Sequence, residues 1–232
     1  MNRKYLGATL ISTFLLVMLT VKVLRIHDPF VLIYSLSITS YLAFTVIMAL
    51  RYESIEGSNP TYYPRISILI PVYNEKWSIL KRTINHALKA EYPGQKEIII
   101  VDDGSTNGIR RYLQKLKKIK AIFFDKNQGN KYARAEAIKN ATGEIVIFVD
   151  SDTFIAKDSL LKIVEPFKDI QVGAVSGHLK VYPRNLSFIS KLQNGWYYTS
   201  FRVYRAAEDC LDMVTCCPGA FSAYRHEYIT DQ

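Results

Sequence analysis

Residues 144–153 constrain this chain more than any other stretch. From Ile145 to Val149 every residue is β-branched or aromatic, and two carboxylates follow at Asp150 and Asp152. An apolar run without alternation belongs to a central strand covered on both faces, as in a parallel sheet flanked by helices. The carboxyl edge of such a sheet is where open α/β folds bind their ligands. On an extended backbone, residues i and i+2 point the same way. Asp150 and Asp152 can therefore share one divalent cation, although as a bare pair they repel. A strand end followed by an Asp/Ser/Thr helix cap accounts for the segment equally well when it is taken alone.

The surrounding pattern supplies the rest of a sheet. Residues 66–72 read as a first buried strand. Residues 77–90 carry Ile79, Leu80, Ile84 and Leu88 at helical spacing. A strand is expected at 97–102, a basic amphipathic helix at 109–118, a short strand at 121–124 and a helix at 132–141. The fourth strand spans 144–149, followed by a helix at 159–167 and a strand at 172–176. Strand–helix alternation at this interval implies an α/β fold with a mainly parallel sheet. Residues 177–182 read as a further strand halted by Pro183. Residues 186–207 read as one long helix bearing Trp196, Tyr197, Tyr198, Phe201 and Tyr204. That aromatic stripe suits a core or interface, a sugar platform, or a helix lying on a bilayer surface.

The N-terminus is unlike a soluble domain. Residues 5–24 are apolar or small with Lys22 as the one charge, and residues 30–50 carry none. Each run is about the 20 residues that cross a bilayer core as a helix. The polar link at 25–29 predicts a helical hairpin. A cleaved signal peptide fits poorly, because no small-residue cleavage site precedes Arg25 and a second span follows. Arg3 and Lys4 before the first span, and Arg51 after the second, favour both ends in the cytosol, although Lys22 and Arg25 oppose this. The expected division is two transmembrane helices in 1–52, a polar linker at 53–64 and a domain over 65–232.

With 30 Lys and Arg against 21 Asp and Glu, the net charge of +9 suits an anionic partner: nucleic acid, a phosphorylated substrate or an acidic membrane surface. The three cysteines, Cys210, Cys216 and Cys217, are crowded and odd in number, which argues against a zinc site and for reduced thiols. Neither a Walker loop nor a dinucleotide Gly-x-Gly-x-x-Gly fingerprint is present, which argues against P-loop and nicotinamide chemistry.

Three strand ends carry polar loops that a parallel sheet brings to one edge: residues 71–75, 102–106 and 150–152. Asp102 and Asp103 can accept hydrogen bonds from a base or ribose, or simply form a turn with a helix cap. Together, Pro71-Val72-Tyr73-Asn74-Glu75, Val101-Asp102-Asp103-Gly104-Ser105, Gly129-Asn130-Lys131 with Ala135 and Ala137, and Val149-Asp150-Ser151-Asp152 resemble the family-2 glycosyltransferases. The resemblance runs from about Arg65 to the C-terminus and implies a glycosyltransferase A-type nucleotide-binding domain. By that resemblance, Val72, Tyr73 and Glu75 line the nucleotide pocket, Asp102 and Asp103 hold uracil and ribose, and Lys131 approaches the diphosphate. Asp150 and Asp152 then hold Mg²⁺ or Mn²⁺, and Asp152 acts in catalysis through that metal.

The second half resembles the processive membrane synthases, hyaluronan synthase-like enzymes first, with chitin and cellulose synthases as relatives. Cys217, Gly219 and Ala220 then lie on the acceptor side. The implied donor is a UDP-sugar and the acceptor a polysaccharide, at a multi-pass cell membrane with the catalytic domain in the cytosol and membrane lipid, not nucleic acid, as partner. The family's acidic base pair and its Gln-x-x-Arg-Trp motif are expected beyond Tyr224-Arg225, and Glu227 and Asp231 lie too close to match. The chain thus reads as a donor-binding half: a fragment, a frame-shifted product, or one piece of a split enzyme with a partner subunit. The alternatives are a non-catalytic nucleotide-sugar-binding module and single-sugar transfer to a polyprenyl phosphate.

Overall fold

The computed structural model describes residues 13–14, 16–18, 20, 28–52, 60–182 and 187–229. The described residues fall into two compact units. One draws on the ranges 1–54 and 178–215, the other on 55–177 and 216–232.

The second unit is built on a six-stranded sheet in the order β3-β2-β1-β4-β6-β5. Its strands are β1 Ile66–Val72, β2 Lys96–Asp102, β3 Lys120–Phe123, β4 Ile145–Val149, β5 Ala174–Ser176 and β6 Phe221–Arg225. β1 to β4 are mutually parallel, whereas β6 runs antiparallel to both β4 and β5. Every residue of β1 and of β4 is buried, as an uninterrupted apolar run requires. The helix Trp77–Lys89 covers the sheet with Leu80, Thr83, Ile84 and Ala87, one buried stripe at helical spacing. The helix Asn130–Lys139 buries only Ala133 and Ala137, and those small side chains let it settle against Leu69, Ile99, Val101 and Phe148.

Ser67 is the polar residue at the heart of β1. Its hydroxyl donates to Glu97 and accepts the backbone amide of Gly143 at 2.8 Å. A Cβ on Gly143 would lie 2.5 Å from the Ser67 nitrogen, so this crossing demands glycine.

Three expectations change. Residues 177–182 form no strand. Pairing stops at Gly177, whose amide reaches the Phe221 carbonyl at 3.0 Å. The basic helix contracts to Arg110–Leu113, because the lysines beyond it are exposed and only Leu113 is buried within it. The long aromatic helix is three segments: an α-helix Phe188–Thr199, a π turn Ser200–Tyr204 and a short helix Arg205–Asp209. No residue of Phe188–Thr199 is buried; Tyr197 meets Phe201 of the π turn edge to face at 6.1 Å between ring centroids.

The first unit contains the helix Pro29–Arg51. Asp28 caps it by accepting the Phe30 amide at 2.8 Å, and Pro29 occupies the first turn. At 23 residues it is about 35 Å long. Among the described residues it is the one helix long and apolar enough to cross a membrane. Ser37, Thr39 and Thr45 return their hydroxyls to carbonyls one turn back, which satisfies them without water. The π turn and the short helix after it pack against this helix. The expected first span at 5–24 lies largely outside the described residues, as does most of the 53–64 linker, so the hairpin is not visible.

Candidate active site

Parallel β1, β2 and β4 end side by side, with Val72 opposite Asp102 and Leu69 opposite Phe148. Their loops enclose a hollow of about 360 Å³ lined by Val72, Tyr73, Asp103, Asn127, Asp150 and Asp152, among others. A larger hollow of about 520 Å³ is lined by Arg82, Lys89 and Lys157 and contains no carboxylate, so its charge disfavours a cation.

The first two loops are laced together. Asn74 sits in the left-handed region at φ 51°, where asparagine is tolerated. Its side-chain oxygen accepts the Thr106 amide at 2.8 Å, and its own amide donates to Ser105 Oγ at 2.8 Å. Asn107 Nδ2 donates to the Glu75 carbonyl. Glu75 itself does not line the hollow. One of its oxygens accepts the Lys76 amide and the other accepts Ser151 Oγ at 3.3 Å.

Asp102 and Asp103 are adjacent and almost fully buried, yet differently employed. Asp103 Oδ1 accepts the Gln128 amide at 2.7 Å, while Oδ2 accepts the Gly129 amide at 2.9 Å and Asn127 Nδ2 at 3.0 Å. It is the staple of the loop leading into the helix Asn130–Lys139. Asp102 Oδ1 accepts the Ser105 amide at 3.0 Å, whereas its Oδ2 is buried without a hydrogen-bond partner. A buried acceptor left open is uncommon and suits a ligand hydroxyl or N–H.

Asp150 is half-buried and Asp152 exposed. Arg134 Nη2 donates to Asp150 Oδ1 at 3.1 Å and to the Gly219 carbonyl at 3.3 Å. Burial pushes the Asp150 carboxyl above its ordinary value. The Arg134 guanidinium opposes this and the neighbouring Asp152 charge adds to it, leaving the balance upward. A cation there relieves both the burial and the repulsion. Among the described residues no three His, Cys, Asp or Glu cluster as a metal cage. Two carboxylates on an open edge nevertheless fit Mg²⁺-type binding, in which phosphate oxygens and water complete the shell.

The loops thus gather Val72, Tyr73, Asp103, Asp150 and Asp152 around one hollow, whereas Asp102, buried at the end of β2, is not among the lining residues. Lys131 is exposed on the first turn of its helix and does not line the hollow, while Asn130 does. Gly219 and Ala220 are brought beside Asp150 by β6, whose pairing with β4 puts the Asp150 amide 3.3 Å from the Ala220 carbonyl, while Cys217 precedes them in the same turn. Sequence reasoning missed Asn127 and Arg134. Their neighbourhood was flagged by Gly129-Asn130-Lys131, but nothing in the sequence says where their side chains aim.

The sequence profile of glycosyl transferase family 2 matches residues 67–231. The chain belongs to that family. Its A-type α/β fold is shared with a mannosyltransferase from Pyrobaculum calidifontis solved in complex with GDP-Man and Mn²⁺. The TM-score is 0.62 at 23% identity, over 97% of this chain and 57% of that one. A hyaluronan synthase from Streptococcus pyogenes serotype M3 is 32% identical over 206 residues, 85% of this chain and 48% of the relative. An N-acetylglucosaminyltransferase from Rhizobium meliloti is 29% identical over 202 residues, 83% and 47%. This family-2 chain therefore spans about half the length of the curated relatives it matches.

Proposed function

We propose that this family-2 glycosyltransferase domain binds a UDP-sugar with a divalent cation and serves inverting transfer of that sugar to a growing polysaccharide at the cell membrane. The observation that carries the reading is the placement of Asp150 and Asp152 on one strand-end hollow together with Val72, Tyr73 and Asp103. Tyr73 and Val72 offer an aromatic face and an apolar floor for the base, and Asp102 Oδ2 an acceptor for a base N–H or ribose hydroxyl. The helix Asn130–Lys139 opens on the hollow without a side-chain cap, and an uncapped helix N-terminus favours a diphosphate. Lys131 on that turn adds positive charge near the leaving group.

Transfer breaks the bond between the anomeric carbon and the diphosphate, so negative charge grows on the leaving oxygens. Mg²⁺ or Mn²⁺ held by Asp150 and Asp152 supplies charge stabilisation there. Asp103 fixes the loop that brings the helix to the phosphates, and Glu75 steadies Ser151 between the two aspartates. The turn at Cys217–Ala220 is the acceptor side. The helix Pro29–Arg51 is one of two membrane spans in residues 1–52, joined through a linker at 53–64 to a cytosolic domain.

Of the carboxylates lining the hollow, Asp103 is spent on the loop and the aspartates 150 and 152 on the cation. None is left to take the acceptor proton. This favours a second reading, a donor-binding module completed by a base from outside the hollow. Purified chain, UDP-sugars and Mn²⁺ with UDP release as the readout separate the two. Turnover and polymer by the chain alone support the first reading. Tight UDP binding with no turnover supports the second.

A further inference from the structure

Arg134 sits where two halves of the site meet. A single nitrogen, Nη2, donates to Asp150 Oδ1 at 3.1 Å and to the Gly219 carbonyl at 3.3 Å. Its guanidinium lies over the Phe148 ring, 5.2 Å from the centroid. The fit is tight. A Cβ on Gly219 would come 2.4 Å from Nη2 and 2.6 Å from Nη1. The backbone closes the same junction, with the Asp150 amide 3.3 Å from the Ala220 carbonyl.

Resting on the donor reading above, we propose that Arg134 is a positioning residue that couples donor loading at Asp150 to the acceptor-side turn Cys217–Ala220. Nη2 gives one hydrogen to each acceptor, so a turn of the guanidinium away from Asp150 changes the geometry at the Gly219 carbonyl as well. A divalent cation on Asp150 places like charge beside the guanidinium and weakens that ion pair. A diphosphate offers the guanidinium a new anionic partner. Freed from Asp150 and drawn to the diphosphate, the guanidinium leaves the Gly219 carbonyl, so the turn is held while the donor site is empty and released when it fills. An acceptor chain then meets a mobile turn only after the nucleotide-sugar is in place. The coupling is thermodynamic and works in both directions: whatever opens the turn also eases cation binding.

The test is hydrogen exchange at the amides between Cys217 and Phe221, with and without Mn²⁺ and UDP, alongside calorimetric UDP binding. In the wild type, ligand is expected to speed exchange there by about fivefold, the low end of ordinary coupling. Arg134→Met is expected to exchange fast without ligand and not respond, while still binding UDP. Gly219→Ala, which displaces the guanidinium but keeps its charge, should behave alike, and Arg134→Lys should keep part of the response. An Arg134→Met variant that responds as the wild type does overturns the coupling. So does a wild type that binds UDP with a silent turn. A wild type that binds no UDP in Mn²⁺ overturns the donor reading and the coupling with it.

Discussion

Asp103→Asn is expected to unfasten the loop ahead of the helix Asn130–Lys139, and the cost can be worked from its three hydrogen bonds. The carboxylate is 3% exposed and accepts from Gln128, Gly129 and Asn127. An amide has one oxygen. Turned to keep Gly129 and Asn127, it points an NH₂ group at the Gln128 N–H. Two bonds lose their charge assistance and one buried donor is left facing another. Charged hydrogen bonds are worth about 1.5–3 kcal/mol, neutral ones about 0.5–1.5, and an unsatisfied buried group costs about 1–3. Lifting the burden of a buried charge returns part of this, leaving about 3 kcal/mol. For a domain of this size that is a fall in Tm of about 6–12 °C. The assay is thermal unfolding by circular dichroism in detergent, with hydrogen exchange at residues 127–129. Asp102→Asn is the control, since it removes no bond that its amide oxygen cannot make to Ser105. A Tm for Asp103→Asn within about 2 °C of wild type, with the loop amides still protected, would refute the staple.

Thr83 is fully buried and gives its hydroxyl to the Ser151 carbonyl at 2.8 Å, so Thr83→Val should cost about 1 kcal/mol. UDP affinity in Mn²⁺ should fall severalfold, with Thr83→Ser restoring it. Burial tends to raise the Glu97 carboxyl, but hydrogen bonds from Ser67 and Thr142 win and hold it below its ordinary value. Its contribution to stability is therefore present above about pH 4.5 and lost as pH falls through the lower folded value. Glu97→Gln should flatten that part of the acid-unfolding curve, and an unchanged curve would contradict the assignment. Gly143→Ala should destabilise by about 1–3 kcal/mol by overpacking the crossing over Ser67, read as a lowered Tm.

The parts of this fold most legible in the sequence are those where every residue argues the same way. β1 and β4 are apolar at each position, and a run with no polar face has one home, the middle of a covered sheet. Parallel strands then force their C-terminal loops to a common edge, which is why the sequence alone brings Val72, Tyr73, Asp103, Asp150 and Asp152 to one side of the sheet, where one hollow lies between them. β6 was hidden, because Phe221–Arg225 mixes Ser222, Tyr224 and Arg225 into five residues. Arg225 is buried because three carbonyls, of Phe167, Asp169 and Val172, receive its guanidinium and Glu144 lies 3.7 Å from it. The contrast between Asp102 and Asp103 was illegible for a related reason. Identical neighbours differ by which distant amides reach them, and that is set by the packing of Asn127–Gly129. Arg134 reads as an ordinary helix residue until β6 carries Gly219 to it.

The central claim is that Asp150 and Asp152 hold a cation that in turn holds a nucleotide diphosphate. Calorimetric titration of UDP into wild type and Asp152→Asn, each in Mn²⁺ and in EDTA, tests it most directly. UDP affinity in the wild type is expected to fall at least about tenfold when Mn²⁺ is removed. Asp152→Asn, with an unchanged Tm, is expected to show the weak affinity in both conditions. Equal UDP affinity for wild type and variant in Mn²⁺ would contradict it.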